Sequence, residues 1–416
     1  MSTLSFILSN ARWLAAGFVL ALGSCFGQTF FIGVFGASIR EEFSLTDGDF
    51  GAAYMFGTLA SAAVIIQLGR LADVMSARPL AVIVTLGLAS VCIAMSMVSS
   101  WTMLVVVIFG LRLFGQGMMS HLSATCMARW FDRTRGRAIA IASFGYPTAQ
   151  AIAPATAVLV LSTGDWRTVW VGGAAILALG VAPLLLVLLA RDRPTSAAHS
   201  NFTPPAGIDG KQWRRIDVIK EPLFWLLVPG LVAPSFIGTS IFFLPSHIAE
   251  VKGWELESFT NSYWLYGLTS LCFSIVGGFV VDKFSARASL PFYLLPMGAA
   301  LIALSFGTSP WTIEIVFMLL GIATGFGMTV KTALWAEIYG TQHIGAIKAL
   351  VHSVMVFASA AGPGLTGILI DMGAPFPTQA LYLAGYTIAV SGLYTWIVTA
   401  GPLGYAARKR QSGASS

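Results

Sequence analysis

Apolar runs long enough to cross a bilayer recur along this chain from end to end, and that repetition restricts the fold more than any single motif. A helix needs about 20 apolar residues to span the hydrocarbon core. Only 10% of the 416 residues are charged and 56% are hydrophobic, against about 25% charged in an ordinary soluble domain. Twelve spans are predicted, near 13–38, 50–70, 79–99, 102–127, 137–162, 168–190, 223–246, 259–281, 289–308, 311–335, 345–370 and 379–404. The first run, Trp13 to Ile39, is too long for a signal peptide and precedes further spans, so it reads as a retained first span.

Charges collect between the runs. With the N-terminus on the cytoplasmic side, 19 of the 24 Lys and Arg fall in cytoplasmic segments. Arg40, Arg167 and Lys252 fall outside, and Arg112 and Lys331 lie within spans. This bias orients a multi-pass inner-membrane protein with both termini cytoplasmic. It also explains the pI of about 9.2 without a nucleic-acid partner, since no basic stripe carries interleaved aromatics. A polar, proline-bearing stretch divides the spans six and six: an N-terminal half 1–190, a cytoplasmic linker 191–221 and a C-terminal half 222–416. Asn201-Phe202-Thr203 fits the glycosylation pattern, but this topology places it in the cytoplasm.

The two halves repeat. GRLADVMSAR (69–78) returns as GFVVDKFSAR (278–287) at an offset of 209, which also pairs Glu41 with Glu250, Phe50 with Phe259 and Tyr54 with Tyr263. An offset of 210 pairs Gly115-x-Gly117-Met118 with Gly325-x-Gly327-Met328. Six spans separate equivalent positions, so both copies point the same way, as in a parallel repeat about an axis along the membrane normal.

Two parallel six-span halves, a polar middle loop and a repeated G-x-x-x-D…R connection resemble the major facilitator superfamily of secondary transporters. The resemblance covers the whole chain. It implies an all-α membrane protein of 12 transmembrane helices. The family's loop signature is matched by Gly69, Asp73 and Arg78, and again by Gly278, Asp282, Lys283 and Arg287; Val74 stands at a basic position, and Ser76 and Ser285 replace the inner glycine. In the family this loop is a conformational latch. LRLFGQG (111–117) is similar to the fourth-helix signature Arg-x-x-x-Gln-Gly, which implies a substrate or coupling role for Arg112 and Gln116. FGQTFFIGVFGASIREEFSLTDGDFG (26–51) and RWFDRTRGRAIAIASFGYP (129–147) are faintly similar to monocarboxylate-transporter-like members. Those members carry an Arg in helix eight, whereas span eight here has no charge before Asp282.

The residues themselves point the same way. Arg112 lies eleven residues past Trp101, about 17 Å deep at 1.5 Å per residue, where an Arg costs at least ~2.5 kcal/mol to place. It must face a cavity or a partner, and Gln116 follows one turn on. Gln28, Tyr146 and His352 are further polar groups at depth, and they line a path or pair for packing. His121 and Lys331 correspond across the repeat and sit toward the cytoplasmic ends of their helices, as helix-end or gate residues. Tyr263, Trp264 and Tyr266 read as an interfacial belt. No Asp or Glu falls at mid-span, so a cavity whose mid-depth charge is positive favours an anion.

No H-E-x-x-H, G-x-S-x-G or Walker loop is present. The five histidines lack metal-ligand spacing, and the four cysteines sit in apolar runs. No enzyme activity, cofactor or metal is expected. The expected function is gradient-driven transport of a small organic anion, a monocarboxylate among the candidates, by alternating access with proton coupling or exchange, in a monomer. Efflux of drugs or metabolites is the alternative within the fold, and a non-transporting membrane sensor the alternative outside it.

Overall fold

The computed structural model describes residues 3–69, 71–131, 134–191, 206–207 and 210–403. Every regular element among them is helical. The membrane helices are α1 (Thr3–Gly23), α2 (Asp47–Leu68), α3 (Ala77–Ser96), α4 (Trp101–Trp130), α5 (Arg135–Leu161), α6 (Trp166–Leu188), α7 (Pro222–Phe243), α8 (Leu256–Phe284), α9 (Leu295–Phe306), α10 (Thr312–Tyr339), α11 (Ile344–Asp371) and α12 (Phe376–Thr399). Eleven are long and apolar enough to cross a membrane, counting α1 with the turn that follows it. The shorter α9 is preceded by the helical turn Ala286–Ser289, so the predicted ninth span starts late.

The first span also departs from expectation. Its helix begins at Thr3, ten residues before the predicted start, and breaks in the middle of the apolar run. A 3₁₀ turn covers Ser24–Gly27, Gln28 is extended (φ −88°, ψ 149°), and short helical pieces continue from Thr29 to Phe43. Glycines at 23, 27, 33 and 36 lower the helical preference of this stretch. Gly27 is also needed for close approach to α4: a Cβ there would stand 2.7 Å from the Gly115 Cα.

The chain packs as two compact units. The first comprises 1–200 with 241–264 and 363–372; the second comprises 201–240, 265–362 and 373–416. In the first, the end of α11 crosses the start of α2 through small residues. A Cβ on Gly51 would meet the Gly364 Cα at 3.2 Å, and one on Gly367 the Asp47 carbonyl carbon at 2.8 Å. Such residues let helix backbones touch where the surroundings are as apolar as the side chains. Phe243, at the end of α7, stacks on Phe50 at 4.6 Å between centroids and tilts against Tyr54 at 4.6 Å. The expected interfacial belt is only partly formed. Trp264 is exposed, but Tyr263 is buried against Phe242 and Phe259, the counterpart of buried Tyr54.

In the second unit α7 contains Pro229 and Pro234. Proline has no N–H, so Pro234 leaves the Gly230 carbonyl without its helical donor. The Tyr293 hydroxyl takes that place at 2.5 Å. Part of the 191–221 stretch is held against the end of α10. Trp213 N donates to Tyr339 O at 3.1 Å, its ring meets Tyr339 edge-on, and Gln212 Oε1 accepts from Gln342 N. A helix, Arg215–Lys220, follows. Asn201-Phe202-Thr203 lies outside the described residues.

Candidate functional site

The break in the first span creates a polar point in the interior of the first unit. A continuous helix would bond the Gly27 carbonyl to Phe31 N, but Phe31 N turns to Gln28 O instead. Arg112 fills the gap. Its Nη1 donates to Gly27 O at 3.0 Å and to Thr29 Oγ1 at 3.3 Å. Thr29 Oγ1 and the Tyr54 hydroxyl share a hydrogen bond of 2.5 Å, and the guanidinium carbon stands 5.1 Å from the Tyr54 ring centroid. Arg112 is 1% exposed. It opens a π-helical stretch, Arg112–Met119, inside α4, a distortion that often marks functional sites.

The contacts of this guanidinium are a carbonyl, a hydroxyl and an aromatic face. Among the described residues no carboxylate lies within ion-pair distance of it, and its Nε is buried without a hydrogen-bond partner. A buried cation with neutral neighbours and an unused donor keeps much of its desolvation cost.

The other predicted site residues are placed as follows. Gln28 is buried beside the break, and its Nε2 donates to Ser24 Oγ at 3.2 Å and Ser120 Oγ at 3.4 Å. Tyr146 meets Phe30 edge-on at 5.5 Å. Gln116 is half-buried on the π-helical stretch. Arg112, Gln28 and Tyr146 thus gather on the residues that flank the break. His352 and Lys331 belong to the second unit. His352 is exposed on α11. Lys331 is half-buried on α10, its Nζ 5.9 Å from the ring of Tyr293. His121 is exposed on α4 and bonds Thr125 Oγ1 at 3.4 Å; a Cβ on Gly69 would stand 3.6 Å from its Nε2.

The two copies of the repeated connection are held by opposite chemistry. In the first, Arg129 on α4 donates to the Ala72 carbonyl; Arg78 is exposed, and the Asp73 side chain lies outside the described residues. In the second, Glu337 on α10 accepts from Ala286 N at 2.9 Å and faces Arg287 Nε at 3.4 Å. Gly278, Asp282 and Lys283 are placed on the last turns of α8, with Asp282 and Lys283 exposed. The loop signature alone does not reveal Arg129 or Glu337 as the holding groups. Nor does it reveal Tyr54, whose signal was its pairing with Tyr263 across the repeat.

Comparison with known proteins agrees with this architecture. A sequence model of the Major Facilitator Superfamily matches residues 17–271 and 263–415. No curated protein matches the chain by sequence. Among solved structures, a bacterial homolog of the human lysosomal transporter Spinster, in an inward-facing and unoccupied conformation, superposes with a TM-score of 0.68 at 18% identity, covering 96% of this chain and 97% of that one. The nucleoside transporter NupG superposes with a TM-score of 0.71 at 14% identity, covering 95% and 98%. With eleven helices long enough to cross a membrane and a shorter twelfth among the described residues, a repeated connection in each half and a family match over most of its length, the chain belongs to the Major Facilitator Superfamily.

Proposed function

We propose that this transporter carries a small organic anion, a monocarboxylate among the candidates, and that Arg112 is the group that neutralises it. The observation that carries this reading is the uncompensated guanidinium at the break of the first span. Thr29 and Tyr54 supply neutral polar groups around it, and Gln28 and Gln116 lie on adjoining stretches of the first span and α4. Transport runs by alternating access of the halves 1–190 and 222–416, driven by a proton gradient or by exchange. The chain works as a monomer in the inner membrane with both termini cytoplasmic, and the repeated connections act as latches.

The test is counterflow into proteoliposomes against a panel of anions, with neutral nucleosides as the comparison. Arg112→Lys keeps the charge but loses the planar fork, so anion transport persists at a reduced rate. Arg112→Gln abolishes it in a folded protein. If Arg112 serves coupling, the Gln variant still exchanges substrate for substrate but fails to accumulate it. Full gradient-driven anion uptake by Arg112→Gln, or nucleoside uptake indifferent to the substitution, overturns the assignment.

A further inference from the structure

Where α2 begins, at the end of that helix away from the Gly69–Arg78 connection, the first unit holds a second charged cluster. Asp47 opens α2 and accepts from Arg40 Nη1 at 2.8 Å. His247 Nδ1 stands 3.4 Å from the same Asp47 oxygen, Oδ2. His247 comes from the short helix Pro245–Lys252 that follows α7. Asp47 and His247 are 8% and 7% exposed. At the rim Asp371, the last residue of α11, accepts from Gly48 N at 3.0 Å. Residues from both sequence halves therefore meet at the first turn of α2, directly over the glycine crossing of α2 and α11.

We infer that Asp47 and His247 form a proton-binding site that locks this crossing. With a neutral imidazole, Arg40, Asp47 and Asp371 sum to one net negative charge. A proton on His247 balances it and converts a contact to the Asp47 carboxylate into a charge-assisted one. Imidazole is the side chain that changes charge in the physiological range. Asp49, in the same first turn of α2, is exposed and accepts from Thr46 N at 3.1 Å. Glu42 pairs with Arg167, and Glu41, Glu250, Glu255 and Glu257 are exposed. Lys252 lies over the ring of Trp254. Arg167 and Glu42 cancel each other. The site differs from the Arg112 site in position and in ligand. The inference rests on alternating access for what opening the crossing accomplishes, and its test needs no substrate.

Spin labels at Glu41 and Met372, both exposed and both in the first unit, report the separation across the crossing in full-length protein in nanodiscs. The exposed thiol Cys272 is replaced by Ser. The long-distance population should grow roughly threefold or more between about pH 5.5 and about pH 8. His247→Gln, which cannot take the charge, should show the long-distance population at both pH values. His247→Lys, which carries a fixed charge, should show the short one at both. A wild-type distance distribution independent of pH overturns the inference without reference to any variant. So does a pH response that survives in His247→Gln. Failure here leaves the Arg112 assignment untouched, because that is read from transport and this from a distance.

Discussion

At the scale of single residues, Arg112 is where position and partners were legible to different degrees. Its depth followed from counting residues past Trp101, and its burial is what that depth requires. Its partners could not be counted out, because they exist only where the first span breaks, 85 residues away at Gly27. Thr29→Val removes one of the two acceptors of Nη1. A hydrogen bond to a charged group contributes about 1.5–3 kcal/mol, so thermal unfolding should show a loss of that order. Tyr54→Phe keeps the ring beneath the guanidinium and removes only its hydroxyl. It should cost less stability than Thr29→Val while changing the apparent affinity in counterflow. Equal effects of the two on both readouts would mean that the hydroxyl pair acts only as packing.

Among helices and turns, what remained hidden were interruptions without a proline. The break at Gln28 and the π-helical stretch of α4 arise together, where the Gly27 and Gly115 backbones touch. Hydropathy does not register a contact between distant glycines. Gly27→Val should therefore fail to fold into the native helix crossing. Even Gly27→Ala drives a Cβ into the Leu111 carbonyl, and its thermal midpoint should fall. The proline in α7 was visible, but its consequence was not. Tyr293→Phe leaves the Gly230 carbonyl unsatisfied at a cost of about 1–3 kcal/mol. If Pro234 is the cause, Pro234→Ala restores the helical donor, and Tyr293→Phe becomes cheap in that background. A double-mutant cycle reads this directly, and a coupling energy near zero would refute it. The connection after the first span carries a pH signature of its own. The Arg167 guanidinium, with help from Trp166 Nε1, holds the Glu42 carboxyl below the usual carboxylate range. Its stabilising contribution is present above the ordinary carboxylate pKa and is lost as pH falls through the lowered folded value. Because Glu42 is exposed, the effect is small. Glu42→Gln should lower stability slightly at neutral pH and leave it nearly unchanged in acid, which flattens the acid limb of the unfolding profile.

For the whole molecule, the parallel repeat was the most readable feature, since one offset links motifs across more than a hundred residues. The way segments 241–264 and 363–372 join the first unit was not readable, because glycine crossings and a buried ion cluster leave no periodic trace. The repeat nevertheless makes a demand on the whole. Its two connections hang from equivalent helices by opposite means, Arg129 to a carbonyl in one half and Glu337 to an amide and Arg287 in the other. If both are latches on one equilibrium, their chemistry is free to differ but their effects must agree in sign, because six spans separate the copies and both face the same side of the membrane. Arg129→Gln and Glu337→Gln each remove the charge from the holding group while keeping most of its length. Coupling energies between distant parts of a protein run to about 1–3 kcal/mol. Each variant should therefore move the Glu41–Met372 distance population severalfold, and both should move it the same way. Shifts of opposite sign, or a shift from one variant alone, would show that the repeated motif no longer serves a common function in the two halves.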